Sequence, residues 1–133
     1  MPPWLNNVAI FLPEGSRELR PMLQEQLRAY NINICPDPSS ASYWLLIQSA
    51  SFQQQMTSVS SSTTPRQYQL IYTVRFRTQS RDGKQTFPSR LIVVTRQITI
   101  NSDRILGSDE EEAITRQEMR RDAVMQILNR LGH

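Results

Sequence analysis

The chain has 133 residues, 38% of them hydrophobic and 20% charged, with only 4 Gly; this composition fits one globular domain around one core and excludes a disordered or collagen-like chain. A single cysteine, Cys35, and a single histidine, the terminal His133, exclude an intramolecular disulfide and argue against a zinc site or an activated thiol nucleophile. Net charge is +3 but unevenly placed: residues 66–107 hold eight Lys and Arg against two Asp and Glu, while the segments on either side are slightly acidic.

In chain order, NNVAIFLP (residues 6–13) is a short apolar run between turn formers and predicts a buried strand. Leu19, Met22, Leu23, Gln26, Leu27 and Tyr30 recur at helical spacing and make one stripe. Ser16 has the chemistry of an N-cap, but Pro21 would then fall inside the helix, so the regular helix is expected to start near Leu19 and to end around Asn31. From Ala41 an apolar then polar stretch, with alternation continuing through Ala50, Phe52 and Met56, predicts a long strand whose far half projects beyond the core. SVSSSTTPR (residues 58–66) is a turn by composition. YQLIYTVRFRTQ (residues 68–79) alternates cleanly, with Tyr68, Leu70, Tyr72, Val74 and Phe76 on one face and Thr73, Arg75 and Arg77 on the other. SRDGK (residues 80–84) signals a hairpin, and FPSRLIVVTRQITI (residues 87–100) reads as a strand apolar in both parities, expected to be covered on both faces. The last helix opens on a Ser108 to Glu111 capping box, with Asp109 to Glu112 at the positive end of its dipole, and buries Ala113, Ile114, Gln117, Val124, Ile127, Leu128 and Leu131.

The order β-α-β-β-β-α implies an α+β two-layer sandwich: a mixed four-stranded sheet with two helices on one face and the other face open, formed by residues 1–133 as one domain. No nucleophile elbow, P-loop or dinucleotide fingerprint is present, and Asp109 to Glu112 sit where a helix start wants carboxylates, so no enzyme, no catalytic residue, no metal and no cofactor are expected. The chemistry lies in the arginines. Each arginine alone reads as part of a solvated strand face; taken together, Arg75, Arg77, Arg90 and Arg96 fall on adjacent antiparallel strands and can converge on an anionic partner, with Ile71 and Ile98 beside them. Tyr68, Tyr72 and Phe76 have the opposite parity to Arg75 and Arg77, so no base-stacking platform accompanies them, and nucleic acid is the weaker alternative.

YQLIYTVRFR after a Ser/Thr-rich turn, ILGSDEEEAITRQEMRRDAVMQILNRL at the end, and the opening MPPWLNNVAIFL resemble the lipopolysaccharide-assembly lipoprotein family LptE, formerly rare lipoprotein B. The resemblance implies the fold just described. It also implies an outer-membrane lipoprotein, facing the periplasm, held by an N-terminal lipid on a cysteine that follows a signal peptide in the full-length protein. Cys35 does not match that lipid site. The family plugs the barrel protein LptD and helps place lipopolysaccharide in the outer leaflet. On this reading Arg66, Arg75, Arg77, Arg90, Arg96 and Arg104 are the candidates for lipid A phosphates or the barrel wall. Val59, Ser60, Ser61, Ser62, Thr63 and Thr64 form the partner loop. Where basic contacts occur in the family, this chain has Ser61 and Ser108, with Arg66 and Arg104 close by.

Overall fold

The computed structural model describes residues 6–56, 66–100 and 105–131. The elements are β1 (Asn7–Phe11), α1 (Leu19–Ala29), β2 (Asn33–Ile34), a 3-10 turn (Pro38–Ser40), β3 (Tyr43–Met56), β4 (Arg66–Ser80), β5 (Arg90–Ile100) and α2 (Ile105–Leu131). The sheet order is β2-β1-β3-β4-β5, with β1 parallel to β2 and β3, and β3, β4 and β5 antiparallel. The architecture is the expected one, with a two-residue edge strand, β2, added to the four anticipated. That strand is too short for hydrophobic periodicity to reveal it.

Side-chain alternation sets the layers. Tyr68, Leu70, Tyr72, Val74 and Phe76 of β4 are all buried, as are Ile92 and Val94 of β5, and they share one core with Leu19, Leu23 and Leu27 of α1 and Met119, Val124, Ile127 and Leu128 of α2. Both helices therefore cover the same sheet face. α1 begins at Leu19, so Pro21 sits in its first turn, where a missing N–H costs nothing. Ser16 does not cap it: its hydroxyl donates to the Pro13 carbonyl (2.8 Å). α1 ends where Asn31 adopts φ 62°, with Asn31 N–H on the Arg28 carbonyl and Ile32 N–H on the Leu27 carbonyl, both 3.0 Å. These two bonds are the Schellman pair that satisfies the last carbonyls, and Asn tolerates the left-handed conformation. Tyr30, expected in the buried stripe, lies just past the last helical turn and is 45% exposed.

β3 changes parity partway. Tyr43, Leu45 and Ile47 face the helices, the register with β4 shifts between Ile47 and Ser49, and from there Ala50 and Phe52 face them instead. One extra residue, Gln48, turns the strand's other parity inward, which is the work of a β-bulge. β5 starts at Arg90 rather than Phe87, because Pro88 has no N–H to give to a ladder. In the preceding turn Gly83 takes φ 75°, and the Asp82 carboxylate, accepting from Ser80 Oγ and Lys84 N–H, is held below the usual range by those bonds.

α2 begins at Ile105, three residues upstream of the expected capping box, so Ser108 lies within the first turn. Nothing in Ile-Leu-Gly-Ser forbids helix; Gly107 weakens it by only about 1 kcal/mol. At 1.5 Å per residue the 27 residues of α2 run about 40 Å, nearly the ~50 Å of the 15-residue β4, whereas the 11 residues of α1 reach only about 16 Å. The far half of the sheet thus outruns α1 but not α2. There α2 is polar towards the sheet: Ala113 and Ile114, expected in its buried stripe, are exposed, and the apolar stripe starts at Met119.

Candidate functional site

The five strands carry five arginines, Arg66, Arg75, Arg77, Arg90 and Arg96, and no carboxylate. Parity and register divide them. Arg75 and Arg77 alternate with buried Val74, Phe76 and Thr78, so both lie on the face away from the helices. Arg75 is exposed, and its backbone neighbours across the sheet are Ser49 on β3 and Leu91 on β5. Among the described residues it has no hydrogen-bond or ion-pair partner. Arg77 stands opposite Leu46 and donates from Nη1 to Gln79 Oε1 (2.7 Å), leaving most of its fork unused. Ser89 Oγ donates to Gln48 Oε1 (2.8 Å). Both of those residues are exposed and they flank β4, so this bond crosses the strand on its open side, between the two arginines.

Arg90 and Arg96 do not join them. Arg90 is paired with Phe76 and Arg96 with Leu70, which puts both on the helix side. Arg90 Nη1 donates to the Arg130 carbonyl near the end of α2 (2.9 Å), and Arg96 Nη2 meets Asp122 of α2 at 2.9 Å. The expected convergence of four guanidinium groups is therefore corrected to a pair. The signal was present in the sequence: Arg90 and Arg96 share the parity of Ile92 and Val94, the buried side of β5. Ile71 shares the open face with Arg75, but Ile98 packs against the core and does not accompany a surface arginine there. Arg66 is the first residue of β4, paired with Ile100. Arg104 and the loop Val59, Ser60, Ser61, Ser62, Thr63 and Thr64 lie outside the described residues.

The open face is also apolar in part. Leu91 and Val93 are 43% and 49% exposed, so β5, expected to be covered on both sides, is covered on one among the described residues. Lower on the same face the Phe11 and Trp44 rings meet at 5.2 Å. Two fixed positive charges beside half-exposed apolar side chains, with no carboxylate in the sheet, make a surface suited to an amphipathic anion.

A second cluster, missed in the sequence, closes the far end on the helix side. Phe52 and Tyr72 stack at 4.2 Å between ring centres, and the guanidinium groups of Arg116 and Arg120 lie 4.9 and 5.1 Å from the Phe52 ring centre. Glu112 Oε1 accepts from Tyr68 Oη (2.5 Å) and Gln54 Nε2 (3.0 Å). Burial pushes the Tyr72 phenol up to about 12, against a smaller opposing effect of Arg120. The one-turn spacing of Glu112, Arg116 and Arg120 on a single helix face is the signal that could have found this seam.

Among the described residues no group of three His, Cys, Asp or Glu is placed to hold a metal ion, and no helix is long and apolar enough to cross a membrane. Comparison with curated proteins gave no match. Among solved structures the chain is similar to rare lipoprotein B from Shewanella oneidensis, with 21% identity, TM-score 0.80, and coverage of 96% of this chain and 94% of that one. It is similar to uncharacterized lipoprotein B from Nitrosomonas europaea, with 23% identity, TM-score 0.80, and coverage of 93% and 80%. The minor lipoprotein from Acinetobacter baumannii follows, with 19% identity, TM-score 0.77, and coverage of 92% and 87%. At these identities the likenesses establish the fold. The family described as LptE, lipopolysaccharide-assembly, matches residues 5–131, nearly the whole chain, and the protein belongs to that family.

Proposed function

We propose that this domain is the plug and assembly partner of the LptD outer-membrane barrel, and that its open sheet face meets the barrel wall or the phosphates of lipid A. The full-length protein is then an outer-membrane lipoprotein anchored by an N-terminal lipid and facing the periplasm, with no catalytic step of its own. The observation that carries the reading is the uncompensated pair Arg75 and Arg77 on a sheet without carboxylates, flanked by half-exposed Leu91 and Val93. A body enclosed by a polar, water-filled barrel turns such a face into interface. In free solution the same face leaves its charge unpaired and its apolar area wet.

The test is charge reversal, Arg75→Glu with Arg77→Glu, read by binding of purified lipopolysaccharide and by association with LptD. Each lost charge-assisted contact is worth about 1.5–3 kcal/mol, so binding should weaken by at least about tenfold. Unchanged affinity for both would return the two arginines to an ordinary solvated strand face.

A further inference from the structure

Among the described residues β5 is the edge strand of the sheet, with no further strand on its outer side. Natural sheets guard their edges with Pro, Lys, bulges or short strands. β5 has none of these: it is 11 residues long, carries no Pro or Lys, and keeps an unbroken register with β4 from Arg90 to Ile100. Its two arginines turn to the helix side, where Arg90 is occupied by the Arg130 carbonyl and Arg96 by Asp122, so neither guards the open face. Arg96 Nη1 also donates to the Thr95 carbonyl (2.8 Å), which occupies that carbonyl and leaves the stretch before it, Arg90 to Val94. That is the stretch bearing the half-exposed Leu91 and Val93.

We infer that the outer edge of β5 from Arg90 to Val94 is a strand-addition site for an extended polypeptide segment of another protein, one that presents a carboxylate opposite Leu91 and an apolar side chain opposite Val93. Register fixes the choice. Arg75 is level with Leu91, and a residue added opposite Leu91 lies two strand spacings from Arg75, about 10 Å between Cα atoms. A glutamate there lays its stem over Leu91 and meets the guanidinium. Val93 is level with Thr73, where the added residue needs only apolar contact. Main-chain bonds supply the affinity and these two side chains the selectivity. A second copy of this chain is the poorer occupant, because its β5 has no carboxylate to offer Arg75. The inference goes beyond the lipopolysaccharide reading and does not depend on it.

The test titrates the domain with the peptide TTVTETT, whose antiparallel addition sets glutamate opposite Leu91 and valine opposite Val93, and with its counterpart TTVTKTT, at low salt, following backbone amide shifts and hydrogen exchange. The expected result is slowed exchange of alternate amides within residues 90–94, with the lysine peptide up to about fivefold weaker, as the loss of one exposed ion pair predicts. Arg75→Glu should invert that preference, and Val93→Lys, an exposed change, should abolish binding. Three results would overturn the inference: no protection of β5 by the acidic peptide, equal binding of the two peptides, or a dimer in sedimentation that uses the β5 edge and excludes the peptide.

Discussion

Four arginines that look alike in the sequence should behave as two pairs. Arg90 satisfies a carbonyl near the negative end of α2, an interaction worth about 0.3–1 kcal/mol at a surface. Arg96 pairs with Asp122 at 2.9 Å, but the side chains are 44% and 37% exposed, so solvent holds that bridge to about 0.2–1 kcal/mol. Replacing both by alanine should therefore cost about 1.5 kcal/mol. For 133 residues the unfolding entropy is about 280 cal/mol/K, which turns that cost into a fall in Tm of about 5 °C. Arg75→Ala with Arg77→Ala removes no contact beyond the Gln79 bond within the same strand, and Tm should move by less than about 2 °C. Thermal unfolding by circular dichroism, run beside a lipopolysaccharide-binding assay, reads both pairs at once. The first pair should lose stability and keep binding; the second should keep stability and lose binding. The reverse pattern would refute the assignment of faces.

Phe76 is the bulkiest of the fully buried side chains among the described residues, so Phe76→Ala should cost about 3–5 kcal/mol in a urea titration, and an effect under about 1 kcal/mol would displace β4 from the centre of the core. Asn31→Val places a β-branched residue at φ 62° and should cost about 1–2 kcal/mol, while Asn31→Gly should be neutral or stabilising; equal melting temperatures for the two variants would remove the Schellman ending of α1. The buried Tyr72 phenol titrates near 12 when folded, raised first by desolvation, against 10.0 for an ordinary tyrosine. Its contribution is fully present below pH 10 and is lost as pH rises towards 12, because the unfolded chain gives up the proton first. Alkaline unfolding should therefore shift to higher pH in Tyr72→Phe, with no change below pH 10.

Where one local rule acted alone, the sequence was readable. The five alternating apolar residues of β4 all went inside, and Arg75 and Arg77 fell on the open face that their parity required. Legibility failed where two elements meet. Arg90 and Arg96 share a strand pair with Arg75 and Arg77, but their side was set by Ile92 and Val94, and their partners by where α2 returns across the sheet. The inward turn of Ala50 and Phe52 rests on one extra residue at Gln48, which becomes visible as a bulge only once β4 is laid beside β3. Ile114 reads as part of an amphipathic stripe, yet the sheet below it offers Phe52 and Tyr72 to Arg116 and Arg120, and Ile114 stays 60% exposed. The exposure of Leu91 and Val93 has the same origin: a strand apolar on both sides anticipates a second cover, and within the described residues that cover is absent.

The most direct measurement is co-expression of this domain with the LptD barrel of the same genome, followed by purification on a tag carried by one partner alone. The account predicts a stoichiometric complex that survives purification. A folded LptD barrel that separates cleanly from this folded domain would contradict it.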